Sequence, residues 1–336
     1  MNRIVDAHLK RGIKMLNIII PVYNAEKTIE RTLSSLVAQT NKKFIVTIVN
    51  DCSTDSSLEI AETFKKKLPI RIISLEKNGG VGNARQVGLD TNECDLVCFL
   101  DSDDMFMPYT VALYLREMLN DFPEVLYTDF ISEQKGKEVV LAGKEHITWF
   151  HGKCYRKDFI EKFNIKMPPV RYNEDSGFST IVNEIATKKV YVPEITYYWS
   201  ENPSSLTRSS QDFNDKSMPQ FINSIHYAFT SLADYKEVQS IPVFYGQIYN
   251  FYWYHQRALY DEKDYTERLE EEIKSFFKEF WIEDKIRPEN LVFAFSQPNP
   301  LKGETVITTQ SAAEWLSEMS GIKYTPQDFR VEKKND

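Results

Sequence analysis

Residues 96–104 read LVCFLDSDD, in which a run of apolar residues is followed at once by a cluster of carboxylates. An apolar run of this length predicts a buried β-strand. Residues two apart on an extended chain project to the same side, so Asp101 and Asp103 should face one location at the carboxyl end of that strand. Carboxylates this close together repel one another unless a cation lies among them. Oxygen ligands without His or Cys suit Mg²⁺ or Mn²⁺, so the sequence predicts a metal site; a solvated acidic turn before a helix at Pro108 is the alternative.

The stretches around this strand alternate between strands and helices. Apolar, β-rich runs predict strands at Leu16–Val22, Phe44–Val49 and Ile70–Leu75, each followed by a helix. Such alternation indicates βαβ units with a parallel sheet, in which ligands bind beyond the carboxyl ends of the strands. After residue 125 the alternation weakens, and further strands are predicted at Val125–Phe130, Thr148–Cys154 and Val190–Ile195.

The chain divides by pattern into three parts. Residues 1–14 form a short basic leader, residues 15–210 carry the α/β pattern, and residues 211–336 are mainly helical. An aromatic-rich stretch in the last part, residues 244–254, is interpreted as core or subunit interface, with a sugar-binding platform as the alternative. With 336 residues, of which 42% are hydrophobic, the chain can fold around a sizeable core.

The composition excludes some classes of protein. Lys and Arg number 41 against 49 Asp and Glu, a net charge of −8 at pH 7, which argues against binding nucleic acid or anionic membrane through the overall field. The sequence has no apolar run of about 18 residues, as a membrane span requires, and residues 1–14 lack the apolar segment of a secretion signal. The four cysteines show no metal-binding spacing and suit a reducing compartment. We therefore predict a cytoplasmic protein, with peripheral contact of the basic leader with a membrane as the alternative.

Two further loops follow strands that neighbour the acidic one. Residues 21–24 (PVYN) offer the Tyr23 ring, on which a base could stack. Residues 50–55 (NDCSTD) offer carboxylates and hydroxyls that can hydrogen-bond to a base or a ribose. Capping of the next helix is the alternative for this second loop, and both can hold if Asp55 or Ser53 caps the helix while Asp51 binds.

A glycine-rich loop, residues 78–85 (NGGVGNAR), opens the helix after the third strand. Backbone N–H groups and the helix dipole favour an anion at such a turn. It is not a dinucleotide-binding fingerprint, because that motif follows the first strand and Arg85 replaces its third Gly. Arg85 is a candidate cation for phosphate, with a plain surface arginine as the alternative.

A second acidic motif, Asn173-Glu174-Asp175, precedes a predicted helix over residues 175–184. Negative charge is stabilised at a helix N-terminus, so ordinary capping explains this pair as well as a function does. A functional role for this motif requires that the fold bring it to the predicted metal site.

Taken together and in this order, these loops resemble glycosyltransferase family 2, whose enzymes have the GT-A fold. The motifs that carry the resemblance are residues 18–24, 50–55, 78–80 with Ala84, Arg85 and Gly88, and 99–104, and it covers residues 15–209. It implies an α/β GT-A catalytic domain with a Rossmann-like, mostly parallel sheet, followed by a helical C-terminal region for acceptor binding or homo-oligomerisation.

The resemblance also implies roles for individual residues. Asp51 would contact the base of a nucleotide-sugar, Asp101 the ribose or sugar, and Asp103 the divalent metal on the diphosphate. Asp175 would be the catalytic base, with Glu174 beside it in the acceptor pocket. Residues 197–208 resemble the segment that closes over the diphosphate but lack the His that often supplies a further metal ligand there. The other expected donor-binding residues are Pro21, Tyr23, Asn24, Asn78, Gly80, Arg85, Ser102, Ser205, Thr207 and Arg208.

The implied activity is inverting, metal-dependent transfer of a hexose or N-acetylhexosamine from a nucleotide-diphosphate sugar, with UDP favoured. The acceptor would be a hydroxyl of a glycan, a polyol phosphate or another molecule. The absence of a Gln-x-x-Arg-Trp segment favours single addition over processive synthesis. A sugar-1-phosphate nucleotidyltransferase and a non-catalytic carbohydrate-binding protein are the alternatives; the former needs a glycine-rich, arginine-containing loop after the first strand, which is missing.

Overall fold

The computed structural model describes residues 15–202, 212–233, 241–260, 265–280 and 309–329. The chain divides into two compact units, Met1–Ser210 and Gln211–Asp336. The predicted leader and three of the predicted donor-binding residues, Ser205, Thr207 and Arg208, lie outside the described residues.

The first unit alternates strands and helices. Its strands are β1 (Leu16–Val22), β2 (Phe44–Asn50), β3 (Ile70–Ser74), β4 (Leu96–Phe99), β5 (Met105–Phe106), β6 (Val125–Gln134), β7 (Lys137–Leu141), β8 (Lys153–Arg156) and β9 (Lys189–Trp199). Its helices are α1 (Ile29–Val37), α2 (Ser57–Thr63), α3 (Val81–Asp90), α4 (Thr110–Asn120), α5 (Lys157–Lys162) and α6 (Glu174–Ile185).

These strands form one nine-stranded sheet in the order β3-β2-β1-β4-β8-β6-β9-β5, with β7 paired to β6. The four strands from β3 to β4 are all parallel, as the βαβ pattern predicts. β8 is antiparallel to both of its neighbours, whereas β6 and β9 are parallel. The loops after β1, β2 and β4 therefore leave the sheet at the same edge.

Helix α3 approaches the sheet at a glycine. A Cβ added at Gly88 would lie 2.5 Å from Cγ2 of Ile19, a fully buried residue of β1. Only a residue without a side chain permits this close packing of α3 on β1.

The predicted strand Thr148–Cys154 is wrong in its position, because the strand is β8 and begins at Lys153. The residues before it belong to a loop that crosses β6. A Cβ at Gly143 or Gly152 would collide with the carbonyl oxygen of Thr128. Trp149 and Phe150 of this loop pack on Phe130 of β6 and Phe99 of β4. An apolar run in the sequence does not distinguish such packing from strand pairing.

The second unit has a helical core of its own, formed by α7 (Asp212–Ala233), α8 (Ile241–Tyr260), α9 (Thr266–Phe280) and α10 (Thr309–Ser320). Phe251 packs edge-to-face on Phe276 at 5.0 Å, so this part of the aromatic-rich stretch is core. In the described residues, no helix combines the length and apolarity needed to cross a bilayer.

Candidate active site

The Asp51 carboxylate lies at the end of β2 and holds the glycine-rich turn. Its Oδ1 accepts a hydrogen bond from the Gly79 N–H at 2.7 Å, and its Oδ2 accepts one from the Gly80 N–H at 2.8 Å. Asn78 Nδ2 donates to the Asp51 carbonyl at 3.1 Å. Gly80 has φ +86°, a left-handed conformation that favours glycine. The fold thus brings Asp51, Asn78 and Gly80 together. Asp51 is 3% exposed and both of its carboxylate oxygens accept hydrogen bonds from the backbone, so its contact with a base stays a prediction.

The loop after β1 is tied to the loop after β2. Asn24, with φ +49°, accepts from the Thr54 N–H at 2.8 Å and donates its own N–H to Ser53 Oγ at 3.1 Å. Tyr23 is 51% exposed, so its ring is open for stacking. Pro21 is a buried residue of β1 that pairs with Val49.

Arg85 on α3 is 5% exposed, so the alternative of a plain surface arginine is wrong. Its Nη1 bonds to Glu174 Oε1 and its Nη2 to Asp101 Oδ1. The guanidinium also lies 4.9 Å from the ring centroid of Phe150. Burial works to lower the pKa of Arg85, but the carboxylates of Asp101 and Glu174 raise it, so the guanidinium stays charged. That Arg85 binds a phosphate group stays a prediction.

The carboxylates of residues 101–104 have different surroundings. The Asp101 side chain is 33% exposed. Asp103 Oδ2 accepts from Asn202 Nδ2 at 2.8 Å, and burial together with Asp101 raises the pKa of Asp103. The Ser102 carbonyl accepts from Thr32 Oγ1 at 3.0 Å, which fixes the turn against α1.

Asp104 is the buried member of this turn, 1% exposed. It accepts from the Tyr197 hydroxyl at 2.6 Å and from the Ser200 N–H at 2.9 Å. Burial raises the pKa of Asp104, and the neighbouring Asp103 and Asp101 carboxylates raise it further.

His151, which sequence reasoning missed, lies against Asp104, with Nε2 3.9 Å from Asp104 Oδ2. Burial lowers the pKa of His151 to about 3, so the imidazole is neutral, and its buried Nδ1 has no hydrogen-bond partner. Asp101, Asp104 and His151 each offer a ligand atom, and these atoms lie within 4.8 Å of one another. The two carboxylates suit Mn²⁺ or Mg²⁺, whereas an imidazole is a ligand type that other divalent transition metals prefer, so this set fits Mn²⁺ better than Mg²⁺.

This group of three contains Asp101, as predicted, but not Asp103. No spacing signal marks His151, because it lies 47 residues from Asp104 in sequence and only the crossing loop brings it there. The acidic turn is therefore a candidate metal centre with a ligand set that differs from the expected one.

The Glu174–Asp175 pair begins α6, and the bond from Arg85 to Glu174 connects it to Asp101. Glu174 is 4% exposed; burial raises its pKa, and Arg85 opposes this. Burial also raises the pKa of Asp175, against the effects of Arg85 and of the Ser176 N–H, which donates to Oδ1 at 2.8 Å. The fold thus joins the start of α6 to the acidic turn through Arg85, which is the arrangement that a functional role of this pair requires.

Lys153, also missed by sequence reasoning, begins β8 and is 2% exposed. Its Nζ donates to the His146 carbonyl at 3.1 Å and lies 5.8 Å from the ring centroid of Tyr127. Burial lowers the pKa of Lys153 to about 7, and Asp175 opposes this. A single lysine at a strand end carries no sequence signal of burial, since lysine is among the residues least often buried.

Residues 17–171, which include Asp51, Arg85 and the acidic turn, match the family model described as Glycosyl transferase family 2. This part of the chain therefore carries a glycosyltransferase family 2 domain, as its motifs predict.

Two curated relatives illustrate the similarity. Poly(ribitol-phosphate) beta-N-acetylglucosaminyltransferase TarS of Staphylococcus aureus (strain MW2) is 30% identical over 223 residues, which are 59% of this chain and 38% of TarS. Glycosyltransferase GlyA of Streptococcus pneumoniae serotype 4 (strain ATCC BAA-334 / TIGR4) is 39% identical over 247 residues, 65% of this chain and 35% of GlyA. The chain thus spans less than half the length of these two relatives.

The crystal structure of S. aureus TarS 1–349 in complex with UDP-GlcNAc matches this fold with a TM-score of 0.71. The match has 19% sequence identity and covers 94% of this chain and 89% of that chain. The expected α/β GT-A fold with a helical C-terminal region is therefore confirmed.

Proposed function

We propose that this chain is an inverting, metal-dependent glycosyltransferase that moves a hexose or N-acetylhexosamine from a UDP-sugar to an acceptor hydroxyl. The observation that carries the proposal is the bridge from Asp101 through Arg85 to Glu174. It joins the loop after β4, where a donor would bind, to the start of α6, where Asp175 lies.

The donor side is supported by the loops after β1 and β2. The exposed ring of Tyr23 can stack on a base, and Asp51 can accept a hydrogen bond from it. UDP-GlcNAc is the ligand named for the structural neighbour TarS, which favours a UDP-sugar and, among sugars, an N-acetylhexosamine. The name of TarS also makes a poly(ribitol phosphate) or a related polyol phosphate the first acceptor to test.

In the proposed reaction Asp175 accepts the proton of the acceptor hydroxyl. The hydroxyl oxygen attacks the anomeric carbon, the bond from that carbon to the diphosphate oxygen breaks, and the configuration inverts. Arg85 lowers the pKa of Glu174 beside the base, against the effect of burial, and holds Asp101 in place. A divalent ion held by Asp101, Asp104 and His151, with Asp103 as the ligand that the resemblance implies, would stabilise the charge on the departing diphosphate.

The two alternatives have less support. A nucleotidyltransferase needs its glycine-rich loop after β1, whereas here that loop follows β3. A non-catalytic binding protein would bind donor without turning it over, so a turnover assay separates it from the transferase. For the second unit, Gln211–Asp336, we propose acceptor binding or homo-oligomerisation, and for the whole protein a place in cell-surface glycan synthesis on the cytoplasmic side.

The test compares donor binding with transfer in Asp175→Asn. We expect transfer to fall by about 10²–10⁴-fold, because this variant cannot take up the proton, while the Kd for the UDP-sugar stays within about twofold. Asp158→Asn, which removes an exposed carboxylate of α5, is the matched control and should keep both properties. Equal loss of binding and transfer would mean that Asp175 is not the base. Turnover absent from the wild type with every UDP-sugar and polyol-phosphate acceptor would overturn the transferase assignment.

A further inference from the structure

The segment that leads into α6, residues 166–173, runs along one face of α3. Near its start, Lys166 Nζ donates to Asp90 Oδ1 at 2.7 Å, at the C-terminal end of α3. Near its other end, the Val170 carbonyl oxygen lies 3.4 Å from where a Cβ would stand on Gly82, in the first turn of α3. The eight positions from Gly82 to Asp90 span about 12 Å of helix, and four residues of extended chain span about 13 Å. The segment is therefore antiparallel to α3 and matches it in length.

Gln86 lies on the same face of α3, four positions from both Gly82 and Asp90. Its Oε1 accepts from the Met167 N–H at 2.8 Å, and its Nε2 donates to Asp90 Oδ1 at 2.8 Å. A side-chain amide can form both bonds at once because it carries an acceptor and donors. Gln86 therefore attaches the backbone of the segment to α3, whereas Asp90 holds only the side chain of Lys166.

The backbone around Met167 has little regular structure to hold it. Residues 165–168 belong to neither a helix nor a strand, and Met167 is 6% exposed. The next two residues, Pro168 and Pro169, have no N–H and cannot donate a hydrogen bond. A buried N–H needs a partner, and here the Gln86 side chain takes the place of the carbonyl that a helix or a strand would supply.

The far end of the segment is the start of α6, where the proposed base lies. Glu174 Cγ lies 3.0 Å from the Cβ position of Gly82, and the Glu174 carboxylate bonds to Arg85. Two consecutive residues of α3, Arg85 and Gln86, thus hold the segment at its two ends. Asp175 follows Glu174 directly, so its place depends on both attachments.

We propose that Gln86 is a positioning residue for the transfer reaction, whose bond to the Met167 N–H fixes residues 166–173 along α3 and thereby the place of Asp175. The inference rests on the proposed function of Asp175. A base must lie within hydrogen-bond reach of the hydroxyl that gives up its proton. A displacement of about 1 Å caused by a change away from the reacting atoms can cost about 10²-fold in rate.

The first test measures kcat and the donor Kd of Gln86→Met, which keeps the length of the side chain but cannot accept from the Met167 N–H. We expect kcat to fall by about 10- to 100-fold, because the base is no longer held in place. The donor Kd should stay unchanged, since the bonds of Gln86 to Met167 and Asp90 lie outside the donor loops. Gln86→Lys keeps a donor for Asp90 without an acceptor for Met167, and serves if the Met variant does not fold.

The matched control is Lys166→Met, which removes the neighbouring bond to Asp90. The side chains of Lys166 and Asp90 are 42% and 51% exposed, and exposed ion pairs contribute little. This variant should keep the wild-type kcat.

A double variant with the polarity reversed tests the bond itself. In Gln86→Glu combined with Asp90→Asn, the new carboxylate can accept from the Met167 N–H and from the new amide, whose oxygen can still accept from Lys166. The double variant should recover most of the kcat that Gln86→Met loses, and Asp90→Asn alone should keep the wild-type kcat.

Hydrogen exchange of the full chain measures the attachment without any activity. In peptides that cover residues 166–174, the Met167 amide should exchange faster in Gln86→Met than in the wild type and the double variant. Equal exchange in the wild type and Gln86→Met overturns the inference, as does an unchanged kcat.

Two further outcomes would overturn the role of Gln86 while the proposed function stands. One is a folded double variant as slow as Gln86→Met, and the other is a loss of donor binding in Gln86→Met that equals its loss of kcat. Transfer that survives in Asp175→Asn would overturn the proposed function instead, and hydrogen exchange would then still decide whether Gln86 holds the segment.

Discussion

Arg85 bonds to Asp101 and to Glu174 at the same time, joining two acidic motifs that lie far apart in the chain. The Arg85 side chain is 6% exposed and that of Glu174 5%, so solvent cannot replace either partner. This bridge is what brings the proposed base to the loop that follows β4.

Replacement of Arg85 by Met should strongly destabilise the first unit. Glu174 would be left buried without its cation, and removing one partner of a buried ion pair costs about 3–5 kcal/mol. Urea unfolding of the full chain measures the loss. Arg116→Met, at a side chain that is 61% exposed, is the matched control and should change the free energy of unfolding by less than about 0.5 kcal/mol. A loss below about 1 kcal/mol for Arg85→Met would show that the bridge contributes little to stability.

The metal site can be tested by comparing His151→Phe with Asp103→Asn. The Phe variant keeps an aromatic ring against Tyr197 and Trp199 but removes the imidazole nitrogen. If Asp101, Asp104 and His151 hold the ion, His151→Phe should weaken Mn²⁺-dependent UDP binding by about tenfold or more. Loss of a residue that only hydrogen-bonds to a metal ligand already costs about that much in metal affinity. Asp103→Asn should then have the smaller effect. Calorimetry with and without Mn²⁺ makes the measurement, and the reverse order would assign the ion to Asp103, as the family resemblance implies.

A methyl group at Gly88 should separate α3 from β1. In Gly88→Ala the added Cβ would lie 2.5 Å from Ile19 Cγ2, and overpacking of this kind costs about 1–3 kcal/mol. Because Ile19 is branched at Cβ, it cannot rotate Cγ2 away cheaply. Ile19→Ala alone should cost about 2–5 kcal/mol through the cavity it leaves. The double variant should lose less than the sum of the two, and strict additivity in chemical denaturation would contradict the contact.

The four cysteines should differ in reactivity. Cys52 is partly exposed, whereas the other three are buried. Burial raises the pKa of Cys94 to about 11 and those of Cys98 and Cys154 as well, so these thiols stay neutral and unreactive at pH 8. Iodoacetamide at that pH should add one group per native chain by intact mass, and none to Cys52→Ser. Two or more additions to the folded protein would contradict the burial of these thiols.

The local pattern of the sequence was sufficient for the parallel core of the fold. The buried run Leu16–Val22 and the strands β2, β3 and β4, which complete the parallel part of the sheet, lie where apolar runs predict them. The segment before β8 was misplaced for a physical reason. Its aromatic residues belong to the loop that crosses β6. Buried residues of a loop and buried residues of a strand are both apolar, so the sequence pattern is the same for the two.

For the candidate site, too, some features follow from the sequence and others only from the tertiary structure. By itself the sequence determined which loops carry chemistry, because the turn residues, glycines and carboxylates that end parallel strands are encoded next to one another. Only the tertiary structure decided which side chains meet: Arg85 with Glu174 across 89 positions, and His151 with Asp104. These pairings depend on burial and on how helices and loops pack over the sheet, and the free energy of a buried charge is set by neighbours that no local pattern contains.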